Sequence, residues 1–376
     1  QVSYAEAVTM LVRALGYKDE FLSGQWPANY LAKAGEKEIT KKVKFADAYG
    51  FANRGDVAIM VNNTLDAKVV KVVEYTAGAI KYEERDVTLL EDKLNIEKLE
   101  DVRVLANKRI DDGLEEDEVR IRIFEGKKKD EYDDKEYDFV GDVNPELVLG
   151  EEVNVYLNDD DEVIYLEKKT SDKAYFDYVQ KVIIDDKDNE VKKLDLVAAD
   201  DDYEFDENAV IYYLDGDKYK EKQPGKDGIV NLDRKIFEGK VGKFVIRNRK
   251  IMYAEVMDMN EAYPWLIVFE NKDGMLKGIC ADDDEFELDL SKDGNYDGVI
   301  VLDLEGYQLD VDDIEKGNLI YVQKQEYDGD DYAVVRVVQD NIIEGKLDRV
   351  QDNKVKVGKD ERKITYWDNE NNKPKR

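Results

Sequence analysis

The sequence predicts a multidomain α+β protein, with a helical amino-terminal region followed by tandem antiparallel all-β domains of sandwich or barrel type. Three observations carry that prediction. Up to residue 66 the apolar residues recur at helical spacing behind helix-cap residues. After residue 68 short runs rich in Val, Ile and Tyr alternate with turns rich in Asp, Asn and Gly. Those runs recur as hairpins at intervals of about 80 to 90 residues, the size of a small β-domain.

In chain order, Ala7, Val8, Leu11, Ala14 and Leu15 lie three and four residues apart, which places them on one stripe of a helix. Ser3 with Glu6 three positions on forms a capping-box pattern, and Gly16 is placed to end the helix. Asn53 is positioned to cap a second helix. Asp56 falls in its first turn, where the helix dipole favours an acid, and the apolar run Val57 to Val61 and Leu65 follow.

Beyond these helices come VVKVVEY, EVRIRIFE, EEVNVYL, NAVIYYL, GKFVIRN, YPWLIVFE and YAVVRVV, separated by turns such as NDDD, LDGD and NKDG. Such runs read as strands joined by hairpins. A weak internal repeat links them: Gly150, Gly239 and Gly317 each open a strand, a turn follows, and a second strand returns. The predicted units are 1–66 for the helices, then β-units at 68–170, 171–258 and 259–340, with a fourth begun at Asn341 and running to 376. With only five prolines and no Ser- or Pro-rich linker, these units are expected to abut.

Residues 26–65 carry Trp26-Pro27 at a helix opening, Ile39 at a turn, and Asn53-Arg54-Gly55-Asp56 at the start of the next helix. This stretch resembles one S-layer homology module. Residues 1–17, with Ser3-Tyr4-Ala5-Glu6, resemble the second half of another. The resemblance implies attachment to a secondary cell-wall polysaccharide, with Arg54 contacting its acidic groups and Asn53, Asp56 and Trp26 completing the site. For Trp26 a buried anchoring role between the helices is the other reading. The chain departs from the family pattern at Tyr4, where the motif has Arg, and at Glu38 and Lys42, where it has glycines. Binding through Arg54 and a purely structural role for these helices both follow from that mixture. Tandem β-units behind such modules resemble the organisation of a bacterial surface-layer protein: secreted, held at the cell wall, and self-assembling with copies of itself in a lattice or filament. A surface adhesin or carbohydrate-binding protein using the same anchor is the alternative. Beginning at Gln1 inside a module, the sequence is expected to be a piece of a longer secreted protein.

Composition narrows the partners. With 57 basic and 89 acidic residues, the net charge is -32, which makes nucleic acid and anionic membranes poor partners. Calcium is the natural counter-ion outside the cell. Asp289, Ser291, Asp293, Asn295 and Asp297, with Gly294 in sixth place, follow the opening of an EF-hand loop, although Ile300 stands where a bidentate Glu is needed. Asp159, Asp160 and Asp161 are further candidate ligands, as are the runs at Asp200–Asp202, Asp282–Asp284 and Asp328–Asp331. For each run the alternative is a solvated turn. The chain has no histidine, so the commonest general base and the Ser-His-Asp arrangement are absent, and no catalytic residues are assigned. The single cysteine, Cys280, excludes an internal disulfide and is expected to be a buried thiol in a strand.

Overall fold

Ser3 and Glu6 close the expected capping box, each bonding the other's backbone, and α1 (Tyr4–Ala14) follows. α2 is Ala28–Glu36, and α3 (Arg54–Leu65) starts at its Asn53 cap. The structure, a computed structural model, describes residues 1–375 other than 45–46, 77–78, 126–130, 170, 186–189, 198, 200, 259–265, 281–284, 328, 339–346, 352–353, 358–359, 364–365 and 369–372. In the strands beyond 346, and at 75–76, 79–80 and 327, it describes the backbone alone. The chain divides into two compact units, residues 1–98 with 156–162, and residues 99–155 with 163–376.

In the first unit, Val8, Val12, Leu15, Tyr30, Ile39 and Met60 form one core. The predicted α1 stripe holds at Ala7, Val8 and Leu15, but Ala14 is exposed and Val12 takes its place. On α3 only Met60 and Thr64 are buried, while Ile59 and Val61 stay exposed. The hairpin of β1 (Lys68–Thr76) and β2 (Ala79–Thr88), with the short helix α4 (Leu89–Leu94), belongs to this unit. The sequence boundary at 66–68 is therefore corrected. Val69, Val70 and Leu89 join the helices' core, and Val70 N–H donates to the Leu15 carbonyl at 2.8 Å. Gly16, at φ +97°, allows that approach: a Cβ there would stand 2.6 Å from the Val70 oxygen. The strand pattern of this hairpin cannot reveal which core it covers.

The second unit is built on one repeated topology. Its first copy comprises β3 (Glu97–Asn107), β4 (Glu118–Glu125), β5 (Glu131–Asp138), β6 (Glu152–Leu157) and β7 (Val163–Lys168), in sheet order β5-β4-β3-β6-β7. The second copy contains β8 (Lys173–Ile184), β9 (Val191–Leu196), β10 (Asp201–Asp215), β11 (Lys218–Lys222), β12 (Val241–Arg247) and β13 (Lys250–Met257). There β9 pairs with the start of β10, and β10 then pairs with β13, so five strands close into a barrel. β14 (Leu266–Lys272), β15 (Met275–Cys280), β16 (Glu285–Asp289), β17 (Gly298–Leu302), β18 (Gln308–Leu309), β19 (Leu319–Tyr327) and β20 (Asp330–Val338) make the third copy. Its order, β16-β15-β14-β19-β20-β17-β18, is the same plan with the third strand split into β16 and β17. Finally, β21 (Leu347–Gln351), β22 (Lys354–Val357) and β23 (Asp360–Lys363) pair in sequence order, as the first three strands of each copy do. The expected start of this unit at Asn341 lies outside the described residues.

The three glycines that mark the repeat occupy one geometry. Gly150, Gly239 and Gly317 have φ of +79°, +80° and +96°. Their N–H groups donate to the carbonyls of Val104, Val179 and Val268 at 2.8, 3.1 and 2.7 Å. Those valines donate back to the residue after each glycine, at 3.2, 2.9 and 3.0 Å. Each copy thus joins its first and fourth strands through the same left-handed turn.

The expectation of purely antiparallel sheets is corrected. β10 runs parallel to β13, β17 runs parallel to β20, and Phe139 makes a parallel bridge to Val163. In each copy the third strand leaves the second and crosses to the fifth, which it meets in parallel. A period of two is the same for either direction, so alternation cannot distinguish them. Val179, Leu194, Phe205, Phe244 and Ala254 fill the second copy, and Leu266, Leu276, Phe286, Val322 and Val335 the third. Cys280 is buried in β15, as expected. Among the described residues no helix is long and apolar enough to cross a membrane.

Candidate functional site

At the start of α3, three polar groups meet. Asn53 Oδ1 accepts from Asp56 N–H at 2.8 Å, its Nδ2 donates to Asp56 Oδ2 at 2.6 Å and to Tyr4 Oη at 3.2 Å, and the Tyr4 hydroxyl donates to Asp56. That last bond pushes the Tyr4 hydroxyl pKa above its ordinary value. Arg54, next to this triad, is exposed and carries no hydrogen bond or ion pair to a described residue. Tyr4 therefore occupies the motif position as a neutral brace for Asp56. The structure joins Asn53 and Asp56 by hydrogen bonds, and Arg54 lies between them in the chain without a bond to either.

Trp26 is 48% exposed, so a buried anchoring role is corrected. Its indole N–H donates to Thr9 Oγ1 at 2.9 Å and its ring meets Tyr49 edge-on, centroids 6.0 Å apart. The polar indole edge is satisfied at the surface, which removes the need for burial. At the two positions where the motif has glycine, Glu38 and Lys42 hold φ of +57° and +67°. The backbone there keeps a conformation that suits glycine although the side chains do not.

The acidic turns are solvated or engaged elsewhere. Asp159, Asp160 and Asp161 are exposed on a turn organised by the Asn158 side chain, which accepts from the N–H groups of Asp160 and Glu162. Asp289 is occupied by Ser291, whose N–H and hydroxyl it accepts at 3.0 and 2.5 Å. Asp297 accepts from the Asp331 N–H at 2.8 Å, while Asp293 and Asn295 are exposed. Asp201 and Asp202 pair with Arg249 and Lys193, and Asp331 pairs with Lys324. Asp200, Asp282–Asp284 and Asp328 lie outside the described residues. Among the described residues no three His, Cys, Asp or Glu side chains are grouped to hold a metal ion. The EF-hand-like spacing instead feeds the strand β17.

What the sequence pattern did not reveal is a buried charge cluster where all three β-copies meet. Arg109, Glu146, Glu255 and Arg336 are each at most 6% exposed. Arg109 donates to Glu146 at 2.9 and 2.8 Å and to Glu255 at 2.6 and 3.0 Å. Arg336 donates to Glu146 at 2.8 Å and stands 3.7 Å from Glu255. Tyr219, Asn107 and Gln325 add further bonds, to Glu255, to Glu146 and to the Arg109 carbonyl. Burial alone would raise both carboxylate pKa values, but Arg109 and Arg336 reverse this and hold Glu146 and Glu255 below their ordinary range. Lys243, also buried, faces Glu146, Glu151 and Glu255, yet burial outweighs them and pulls it down to about 8. Glu255 and Arg336 stand at matching places in their copies: Lys243 and Tyr321, four residues after Gly239 and Gly317, are their cross-strand partners. The available signal was a lone charge inside an apolar strand, as in YAVVRVV and KIMYAEV.

Comparison with known proteins adds a second line of evidence. Over 93% of its length the chain is 27% identical to a middle cell wall protein of Brevibacillus brevis. Over the same share it is 26% identical to a surface layer protein of Brevibacillus choshinensis. The chain is similar to bacterial cell-wall and surface-layer proteins. It spans about a third of the length of these relatives, 35% and 33%. A cell surface protein of Thermoanaerobacter kivui is 35% identical over 74 residues, 20% of the chain and 9% of that protein. No family model matches the chain.

Proposed function

We propose that this chain is part of a bacterial surface-layer protein, held outside the cell by its helical end and assembling laterally through its β-copies. The observation that carries this reading is similarity to cell-wall and surface-layer proteins along 93% of the chain. In this reading Arg54 contacts an acidic group of a secondary cell-wall polysaccharide through a charge-assisted hydrogen bond. Tyr4, Asn53 and Asp56 fix the helix end from which it projects. The β-copies supply a stiff, non-catalytic body whose exposed acidic turns face neighbouring copies, and divalent cations such as calcium neutralise those contacts.

Purified chain added to wall sacculi and viewed by electron microscopy tests the assembly. An ordered array supports it, and dispersed monomers at every concentration and cation condition refute it. For the anchor, Arg54→Ala is expected to weaken sacculus pull-down about tenfold while leaving the circular dichroism unchanged. Equal retention of both proteins would remove Arg54 from the contact.

A further inference from the structure

Arg103 on β3 and Arg247 at the end of β12 line a cleft of about 380 Å³ whose other walls include Phe124, Met252 and Asn208. The Arg103 side chain is 1% exposed and that of Arg247 is 16% exposed. Their ion pairs use only part of their donor sets. Arg103 spends Nη1 on the Gly150 carbonyl and Asp172, and Arg247 spends Nε on Asp172 and Nη1 on Glu152. Arg103 Nε and Nη2 and Arg247 Nη2 are buried with no hydrogen-bond partner. By valence that leaves one N–H on Nε and two on each Nη2 unmatched, an arrangement that folding disfavours unless an acceptor fills it. Burial holds the Arg103 pKa at about 10, with repulsion from Arg247 and Arg122 adding to it and Asp172 opposing it.

We propose that this cleft binds the carboxylate of a sugar acid, its two oxygens received by the Nε–Nη2 edge of Arg103 and by Nη2 of Arg247. The planar guanidinium edge matches a planar carboxylate, whereas an ammonium would not. Glu152, Asp206 and Glu207 line the cleft together with Lys250, so its charges are nearly balanced and a singly charged anion fits better than phosphate or sulfate. Phe124 and Met252 offer an apolar wall to a sugar ring, and the volume falls within the range of about 300 to 1,000 Å³ usual for small-molecule sites. The proposal is independent of the surface-layer reading and of Arg54.

The test is isothermal titration of the whole chain with sodium glucuronate, sodium acetate and sodium sulfate at matched ionic strength. Saturable glucuronate binding with a Kd of about 1 mM or tighter is expected, with acetate and sulfate at least tenfold weaker. Met252→Trp fills the cleft without touching the ion pairs and should abolish binding. Arg247→Met should weaken it at least tenfold. Absence of saturable heat would mean that these donors stay unmatched in the folded chain, and the proposal fails. Full binding by Met252→Trp, or sulfate matching glucuronate, would each overturn it as well.

Discussion

Replacing Arg109 by Met removes the residue that bridges two buried carboxylates, and its cost follows from the contacts. Four hydrogen bonds of 2.6 to 3.0 Å to Glu146 and Glu255 disappear. Hydrogen bonds to charged groups contribute about 1.5–3 kcal/mol each. Burying the guanidinium offsets much of that sum, and Arg336 still faces both acids. The net loss expected is about 3–5 kcal/mol, the usual result of stripping one partner from a buried ion cluster. Urea unfolding followed by circular dichroism measures it. The pH dependence gives a second reading. Both acids sit below the ordinary value of 4.5, so their stabilisation is in place above that pH and is lost as pH falls through the folded values. Without Arg109 the folded values rise, and the variant should lose stability at a higher pH than the parent. A loss below about 1 kcal/mol, the scale of a surface pair, would refute the claim that this cluster is sealed from water.

Lys243→Met should stabilise the protein at pH 7 by about 1–3 kcal/mol. With its folded pKa lowered from 10.5 to about 8, the parent should gain stability as pH rises through that window, and the variant should lack this slope in a pH series of urea midpoints. Gly150→Ala should cost clearly more than Gly239→Ala in thermal unfolding. Both have positive φ, but a Cβ on Gly150 would collide with the Tyr253 ring, whereas at Gly239 the nearest neighbour, Tyr178 Oη, is 3.5 Å away. Lys42→Gly should gain about 0.5–1 kcal/mol by relieving its left-handed backbone, less the added chain entropy. Chelator added to assembled material should lower light scattering, and calcium but not sodium chloride at matched ionic strength should restore it. Recovery with either salt would reduce the cation to a screening role.

Local chemistry was legible in the sequence and tertiary chemistry was not. Ser3 with Glu6 and Asn53 with Asp56 cap helices by bonds that span three residues, so the pattern and the structure coincide. The glycines at 150, 239 and 317 were legible for a related reason, because a left-handed turn selects glycine wherever it recurs. By contrast, the hairpin of β1 and β2 looks like any strand pair, and only the packing of its Val69 and Val70 in the core with Val12 and Leu15 assigns it to the helices. Parallel pairing of β10 with β13 depends on where the third strand turns, which alternation does not encode. The charge cluster was hidden most deeply. Arg109, Glu146, Glu255 and Arg336 are far apart in the chain and carry residue types that ordinarily mark the surface.

The opposite charges at matched places in two copies have a consequence for how such a chain can evolve. Glu255 of the second copy and Arg336 of the third face each other with opposite signs at matching places. Exchanging the two copies wholesale preserves the pair but exchanges their neighbours, leaving Arg109 against a buried cation. Converting one copy into the other sets acid against acid or base against base, at a cost that grows in a buried setting. The repeated segments are therefore positional: each carries a charge that suits only one neighbour, and unequal recombination between them would yield a chain with mismatched charges at its buried centre.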